Sequence, residues 1–409
     1  MKLLFKLAWR NIWRNKRRSL ITIAAVFFAV LLSIGMRGLQ LGTYEVNIAT
    51  AVRLFSGFLQ IQKVGYQDNP SLRKSFQLSS DITQLLDNDA SVIGYAPRIN
   101  ADGLISYKDN SLGTAIFGII PQKERNVTNF MEKINAGEFF QTDTTNKVVL
   151  GYKLLENLKA EIGDKIVILA QGYDGILGNM IFEICGTTKT GSVEFDRTSV
   201  FMGLSKLQEL LAMEGRLNAI AISTENLDQV IDVKNRLNHS LKDDNLIALS
   251  WDEVMPELKQ IIQLDNVSGL LMLAILVIVV AFGILNTVLM SVTERFREFG
   301  ISLAMGMPQM TLVILVVIES IIITLFGLIL GDLAAYGVNY YIAHNPIVFG
   351  GQLGALYEEY GFLPLMKSSV KLSIFFNNSI TIFVVSLISI IYPAIKVFRL
   401  EPLKGIRYT

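Results

Sequence analysis

The chain has 409 residues, 51% hydrophobic and only 18% charged, with a formal net charge of +1, whereas soluble domains carry about 25% charged residues. A near-neutral balance points to no polyanionic partner. One cysteine (Cys185) and two isolated histidines (His239 and His344) exclude an internal disulfide and a multi-thiolate zinc site, and leave little for histidine-based metal or triad chemistry. The apolar residues are concentrated in four blocks, the pattern of a membrane protein with a soluble part.

Residues 1–18 hold seven Lys or Arg and no acid. Lys2, Lys6, Arg10 and Arg14 recur every four residues, with Phe5, Ala8, Trp9 and Ile12 opposite them. This predicts a basic amphipathic helix at a membrane face, with Trp9 and Trp13 suited to the interface. A nucleic-acid-binding arm is the competing reading; the span that follows at once argues against it, and no nucleic acid partner is expected. Ser19 to Met36 gives 18 uncharged residues, read as an uncleaved first span rather than a signal peptide, because no clear cleavage site follows. Residues 38–56 extend it as a stalk, giving a segment 19–56. Ala25, Ala29 and Ser33 place small residues four apart, a pattern that lets another helix approach closely. The basic N-terminus sets the orientation: it stays in the cytoplasm, and alternation then puts both termini inside.

Residues 57–250 read as a soluble fold on the outer side. Strand candidates are 57–62, 165–170, 180–186, 198–203 and 217–223, and the order fits a subdomain of about 100–205 inserted into a first domain. The Cys185 thiol sits in one of these apolar runs and reads as buried and structural. Residues 251–293 read as a second stalk and span; Asn266 to Thr293 is 28 residues without a charge. Within it, Asn286 and Thr287 are expected to face another helix. Residues 294–308 then hold two acids and two bases in close succession, so the chain has left the membrane. Phe296, Phe299, Leu303 and Met307 recur there at helical spacing. A short amphipathic helix between two spans, with an apolar stripe, reads as a docking element for a soluble partner.

A third span covers 309–336. It contains Glu319, which is a functional-site candidate by default because a charge at the bilayer centre is costly. The plainer reading is a carboxyl bonded to a neighbouring helix, since no second intramembrane charge is visible for a relay. Gly327 and Gly331 read as a close-packing pair, and Asp332 as a solvated group near the outer end. Residues 337–373 form an external loop with a Tyr/Glu cluster at Tyr357 to Tyr360. The fourth span covers 374–395, and the tail 396–409 carries Lys396, Arg399, Lys404 and Arg407. The fold class is therefore an α-helical membrane protein with four transmembrane helices plus an α+β periplasmic domain between helices 1 and 2.

Catalytic signatures are missing. There is no G-x-x-x-x-G-K-[ST], G-x-S-x-G, H-E-x-x-H or C-x-x-C. A non-enzymatic chain without metal or cofactor is expected, and any ATP and Mg would bind a partner ATPase.

LAWRNIWRNKRRSLI at the start, GFLQIQKVGY after the first span, KTGSVEFDR (189–197) and ERFREFGISLAMGM before a span with Glu319 together resemble the MacB/LolC–LolE/FtsX group of ABC transporter permeases. The resemblance covers essentially the whole chain. It implies a bacterial inner-membrane subunit that pairs with a second copy of itself or a paralogous permease, and that transmits motion from a separate ABC ATPase to an outer domain. By position, Glu294, Arg297, Glu298, Phe299, Ile301, Ala304, Met305 and Gly306 match the family's cytoplasmic coupling segment. Four spans in about 400 residues are most similar to LolC and LolE, which imply release of lipoproteins to a periplasmic carrier. The acyl chains would shelter in a cleft lined by Phe27, Phe28, Met36, Leu271 and Met272. The N-terminal and stalk sequence looks closer to MacB-like permeases. The resemblance also admits MacB-like efflux with an adaptor, or FtsX-like control of cell-wall hydrolases.

Overall fold

The computed structural model describes residues 2–359 and 363–401; Tyr360, Lys404 and Arg407 lie outside the described residues. Two compact units are present: Met1–Tyr44 with Ile262–Ile347 and Met366–Thr409, and Glu45–Ile261 with Val348–Leu365.

The first unit is helical. Its elements are α1 (Lys2–Arg14), α2 (Lys16–Ala51), α3 (Pro256–Glu294), α4 (Phe296–Ala304), α5 (Gln309–His344) and α6 (Leu372–Phe398). Prolines punctuate it: Pro256 opens α3 and Pro308 precedes α5, positions where a missing N–H costs no helical bond. Helices α2, α3, α5 and α6 are each long and apolar enough to cross a membrane. Val26, Ala29, Val30 and Ile34 of α2 share a core with Leu328 and Ala335 of α5 and Ile374 and Ile382 of α6.

Gly327 and Gly331 let α5 approach α2. A Cβ on Gly327 would lie 2.6 Å from Val26 Cβ, and one on Gly331 2.7 Å from Val30 Cβ. The glycines thus meet two valines. Of the small residues expected to make a close contact, Ala29 and Ser33 are buried, Ala25 is half-buried, and the Ser33 hydroxyl donates to Asn378 of α6 at 2.8 Å.

Three sequence expectations need correction here. Residues 337–344 continue α5 and are not loop. No proline interrupts them, and Tyr336, Tyr340 and His344 pack ring to ring at helical spacing, 5.9 and 4.2 Å apart. Asp332 is half-buried and accepts from the Ser379 hydroxyl at 2.6 Å, so it is partnered across helices. Asn286 is exposed on α3, whereas Thr287 donates to Gly283 O of its own helix and lines a cavity with residues of α1, α2 and α5, so it does face its neighbours. The rest of 337–373 holds the helix Gly351–Glu359 and the short strands Ile347–Val348 and Leu365–Met366.

The second unit is built on a ten-stranded sheet. Its strands are β1 (Leu59–Lys63), β2 (Val92–Tyr107), β3 (Asn110–Ile119), β4 (Ile134–Gly137), β5 (Lys147–Gly151), β6 (Lys165–Gln171), β7 (Leu177–Thr188), β8 (Ser199–Gly203), β9 (Ala219–Thr224) and β10 (Leu246–Ser250). The order is β10-β1-β9-β2-β3-β8-β5-β7-β4, with β6 bridging β2 and β7. The 16-residue β2 carries the organisation. Residues 92–98 pair antiparallel with β9, and from Ile99 onward the strand pairs with β3. The change of partner falls near residue 100, where the sequence suggests that an insertion begins. Cys185 is half-buried and donates weakly to Val148 O at 3.3 Å; burial pushes its thiol up to about 11.

At that change of partner sits a buried ion pair. Arg98 is 4% exposed and Glu124 fully buried. The guanidinium binds both carboxylate oxygens, one of them through Nε at 3.0 Å. Its Nη1 donates to Phe55 O at 2.5 Å, in the π-helical turn Val52–Ser56. The Phe55 ring lies 4.2 Å from Phe195, in a cluster with Phe117, Phe130 and Phe201. Removing one member of such a pair leaves a buried charge alone. Arg98→Met should lower stability by roughly 3–5 kcal/mol in thermal or denaturant unfolding, and Arg98→Met with Glu124→Leu by much less.

Asp196, in the 189–197 segment, is fully buried. It accepts from Thr190 N at 3.0 Å and Thr190 Oγ1 at 2.9 Å, yet burial outweighs these donors and pushes its carboxyl up to about 6. The folded state therefore holds this proton more tightly than the unfolded chain. Its stabilising contribution is complete below about pH 4 and is lost as the pH rises through about 6. Asp196→Asn should flatten the stability profile between about pH 4 and pH 7, measured by thermal unfolding across that range.

Candidate functional site

The functional candidates converge on the short helix α4 and what holds it. Arg295 lies at its N-cap with φ −98° and ψ 7°, so the chain kinks between α3 and α4. The kink gives α4 two faces. Phe296 and Phe299 are buried at 5% and 2% exposure, and Leu303 and Met307 pack half-buried on the same core. Arg297, Ile301, Ala304 and Met305 fall on the other side, all exposed, Met305 at 77%.

This inverts the reading of the apolar stripe. Phe296, Phe299, Leu303 and Met307 form the face that fastens α4 to the helical unit, because four large apolar side chains gain most by leaving water. The surface open to another molecule is the opposite one. Phe299 is thus a fastening residue, unavailable for external contact. Glu294, Arg297, Glu298, Ile301, Ala304, Met305 and Gly306 are all exposed; Gly306 ends the turn at φ +93°, a conformation glycine adopts without strain.

Charge ties α4 to α1 and the end of α3 to α2. Arg14 Nη2 donates to both oxygens of Glu298, at 2.8 and 2.6 Å, and Arg18 pairs with Glu294. Arg14 therefore does not join Lys2, Lys6 and Arg10, which are exposed along α1. Deeper, Arg295 Nη1 donates to Glu319 Oε2 at 2.8 Å, and Asn11 Nδ2 donates to Glu319 Oε1 at 2.6 Å. Arg295 and Glu319 are 7% and 9% exposed. The Arg295 guanidinium also lies 4.9 Å above the Phe299 ring, a cation–π arrangement. Beside this group is a cavity of about 40 Å³, lined among others by Asn15, Arg18, Thr287, Ser291, Glu319 and Thr324, polar and roomy enough for water.

Glu319 accordingly bonds a neighbouring helix, as its plainer reading holds, but a second buried charge does exist. The sequence reading missed Arg295 because it belongs to a visibly charged run; only the kink turns its side chain inward. The signal available was the pairing of one acid in span 3 with an arginine at the end of span 2. Asn11 was missed for a similar reason, lying between the basic and apolar rows of α1.

The proposed apolar lining is scattered. Phe28, Leu271 and Met272 are 56%, 63% and 60% exposed, whereas Phe27 and Met36 are half-buried. The T-shaped contact of Phe27 and Phe28, 5.1 Å between centroids, joins neighbours in one helix and defines no cleft. Among the described residues no group of three or more His, Cys, Asp or Glu could hold a metal ion.

The two faces of α4 should separate in a stability measurement. Phe299→Ala should cost about 3–5 kcal/mol, as for other buried aromatics, while Met305→Ala should stay within about 0.5 kcal/mol, both read by thermal unfolding of the purified chain.

Residues 19–240 match the MacB-like periplasmic core domain and residues 270–402 the FtsX-like permease C-terminal domain. Among characterised relatives, the lipoprotein-releasing system transmembrane protein LolC of Neisseria meningitidis serogroup B is 18% identical, over 85% of this chain and 84% of that protein. An uncharacterised ABC transporter permease of Methanocaldococcus jannaschii is 23% identical, over 98% and 96%. The macrolide export ATP-binding/permease protein MacB of Chlorobium luteolum is 25% identical over 98% of this chain but only 59% of its own length. With four apolar helices and both domain matches, the chain is a multi-pass membrane protein that belongs to the family of FtsX-like ABC transporter permeases bearing a MacB-like periplasmic core domain.

Proposed function

We propose that this permease is the non-catalytic membrane subunit of an inner-membrane lipoprotein-releasing transporter. In this reading both termini and α4 face the cytoplasm, the 57–250 domain faces the periplasm, and ATP and Mg bind a separate ABC ATPase. The observation that carries it is the geometry of α4: a short helix between two spans, fastened by one face, tied to α1 by Arg14, and offering Arg297, Ile301 and Met305 outward. A helix so held transmits a push rather than yielding to it. A mixed apolar and charged face of this size suits a groove on a soluble protein.

Lipoprotein release is the reading that the match to LolC supports. LolC aligns over most of both chains, whereas the MacB relative extends well beyond the aligned part. Extracting acyl chains costs roughly 0.8 kcal/mol per buried CH₂, so the work needs an ATPase and an apolar shelter. The exposed apolar side of α3, with Leu271, Met272, Ile275, Ile278 and Phe282, supplies a wall for that shelter, completed by a second copy or a paralogous permease and emptied towards a periplasmic carrier. The second reading is MacB-like efflux through an adaptor, which the 25% identity over nearly the whole chain favours.

Two experiments test this. Depletion of the protein should trap outer-membrane lipoproteins in the inner membrane, read by membrane fractionation; normal sorting together with new drug sensitivity would establish the second reading instead. Tagged permease should co-purify an ABC ATPase subunit. Met305→Glu should reduce that capture by roughly tenfold, the order expected for a hot-spot residue, without loss of membrane insertion; undiminished capture would place the docking face elsewhere.

A further inference from the structure

We infer that Glu319 is a positioning residue: with Arg295 and Asn11 it forms a buried ionic joint that fixes the angle of α4 against α1 and α5. The inference rests on the reading of α4 as the docking helix, and concerns how that helix is held rather than what binds it.

The argument begins with placement. Glu319 lies on α5, Asn11 on α1 and Arg295 at the N-cap of α4, so three elements distant in sequence meet on one carboxylate. Each carboxylate oxygen has its own donor, Asn11 on Oε1 and Arg295 on Oε2. Two separate oxygens bound from two directions fix an orientation as well as a distance. The guanidinium is fixed in turn by its stack over Phe299, one turn along α4, and its Nε lies 3.5 Å from Glu298. Glu298 is held by Arg14 of α1, which closes a ring: α1 to α5 through Glu319, α5 to α4 through Arg295, and α4 back to α1 through Glu298.

Packing alone would hold these helices more simply. Ala8 and Ile12 of α1 already meet Leu315 and Ile322 of α5, and Phe296 and Phe299 already seat α4. Apolar contacts tolerate sliding, because their energy depends weakly on direction. A bonded pair does not, since its hydrogen bonds fail when the angle changes. A buried pair contributes little net stability compared with apolar residues of similar size. Its presence here is therefore explained by geometry: it makes one orientation of α4 differ sharply from its neighbours.

The experiment separates positioning from stability. Arg295→Met, Glu319→Leu and the double variant are made in a Cys185→Ser background, with spin labels at Arg10 on α1 and Arg297 on α4. Each single variant should lower thermal stability by leaving one buried charge, and the double variant should regain wild-type unfolding. The inference requires that the double variant, though stable, shows a broadened distance distribution between the labels. In the unlabelled complex captured on tagged permease, it should also lose permease-dependent ATP hydrolysis by roughly fivefold or more, the lower end of usual coupling factors, while still capturing the ATPase. A double variant with wild-type label distances overturns the joint, because apolar packing would then suffice. A wild-type chain that captures no ATPase overturns the docking reading alone, and the label distances still decide the inference.

Discussion

A carboxylate buried within a bundle of membrane helices is tolerable only if its charge is met on the spot, and the helical unit is arranged around that requirement at Glu319. The kink at Arg295 turns a cation inward. The basic first helix lies against α5 with Asn11 in reach. The apolar residues of α4 fall on its inner face, where their burial and the kink select the same rotation. Hydrophobicity selects which face of α4 turns inward, and the ionic contacts at Glu319 add direction to that choice.

The same device recurs in the second unit. Arg98 and Glu124 are both buried, and their partners reach to Phe55 in a π-helical turn. There, too, the charge sits where one structural element changes allegiance, midway along a strand that leaves one set of partners for another. The surrounding phenylalanines supply the bulk of the burial, while the ion pair selects which way the elements face. In both units the stabilising mass is apolar and the direction is ionic.

The sequence made the membrane helices legible because their signal is local: long uncharged runs, bounded by prolines and basic clusters. Five strand candidates were legible for the same reason, and each lies in or overlaps a strand. The β2–β3 hairpin was not. Gly94, Pro97, Gly103 and Gly113 break its apolar pattern, although its register follows from the two-residue turn at Lys108 and Asp109. The family was legible through whole-chain order and the ERFREFGISLAMGM stretch. The site was only partly so: helical spacing located the apolar stripe of α4 but could not say which side of the helix faces inward. That depends on a backbone kink and a partner 24 residues away. Arg14 shows the same limit, standing in register with lysines on α1 yet bound to an acid on another helix.

Helix α3 has only three buried residues, Ile284, Val288 and Val292, all in its last three turns. At its other end, Arg37 reaches Asn266 at 2.7 Å, and Gln40 and Tyr44 reach Asp265. The stretch between these moorings contributes little to the stability of its own chain. Substitutions there carry a small folding penalty, so selection can reshape that surface to suit a new cargo or companion while the scaffold stays intact. A fold shared at about one residue in five by proteins bearing different functional names is what such a division of labour would produce over time.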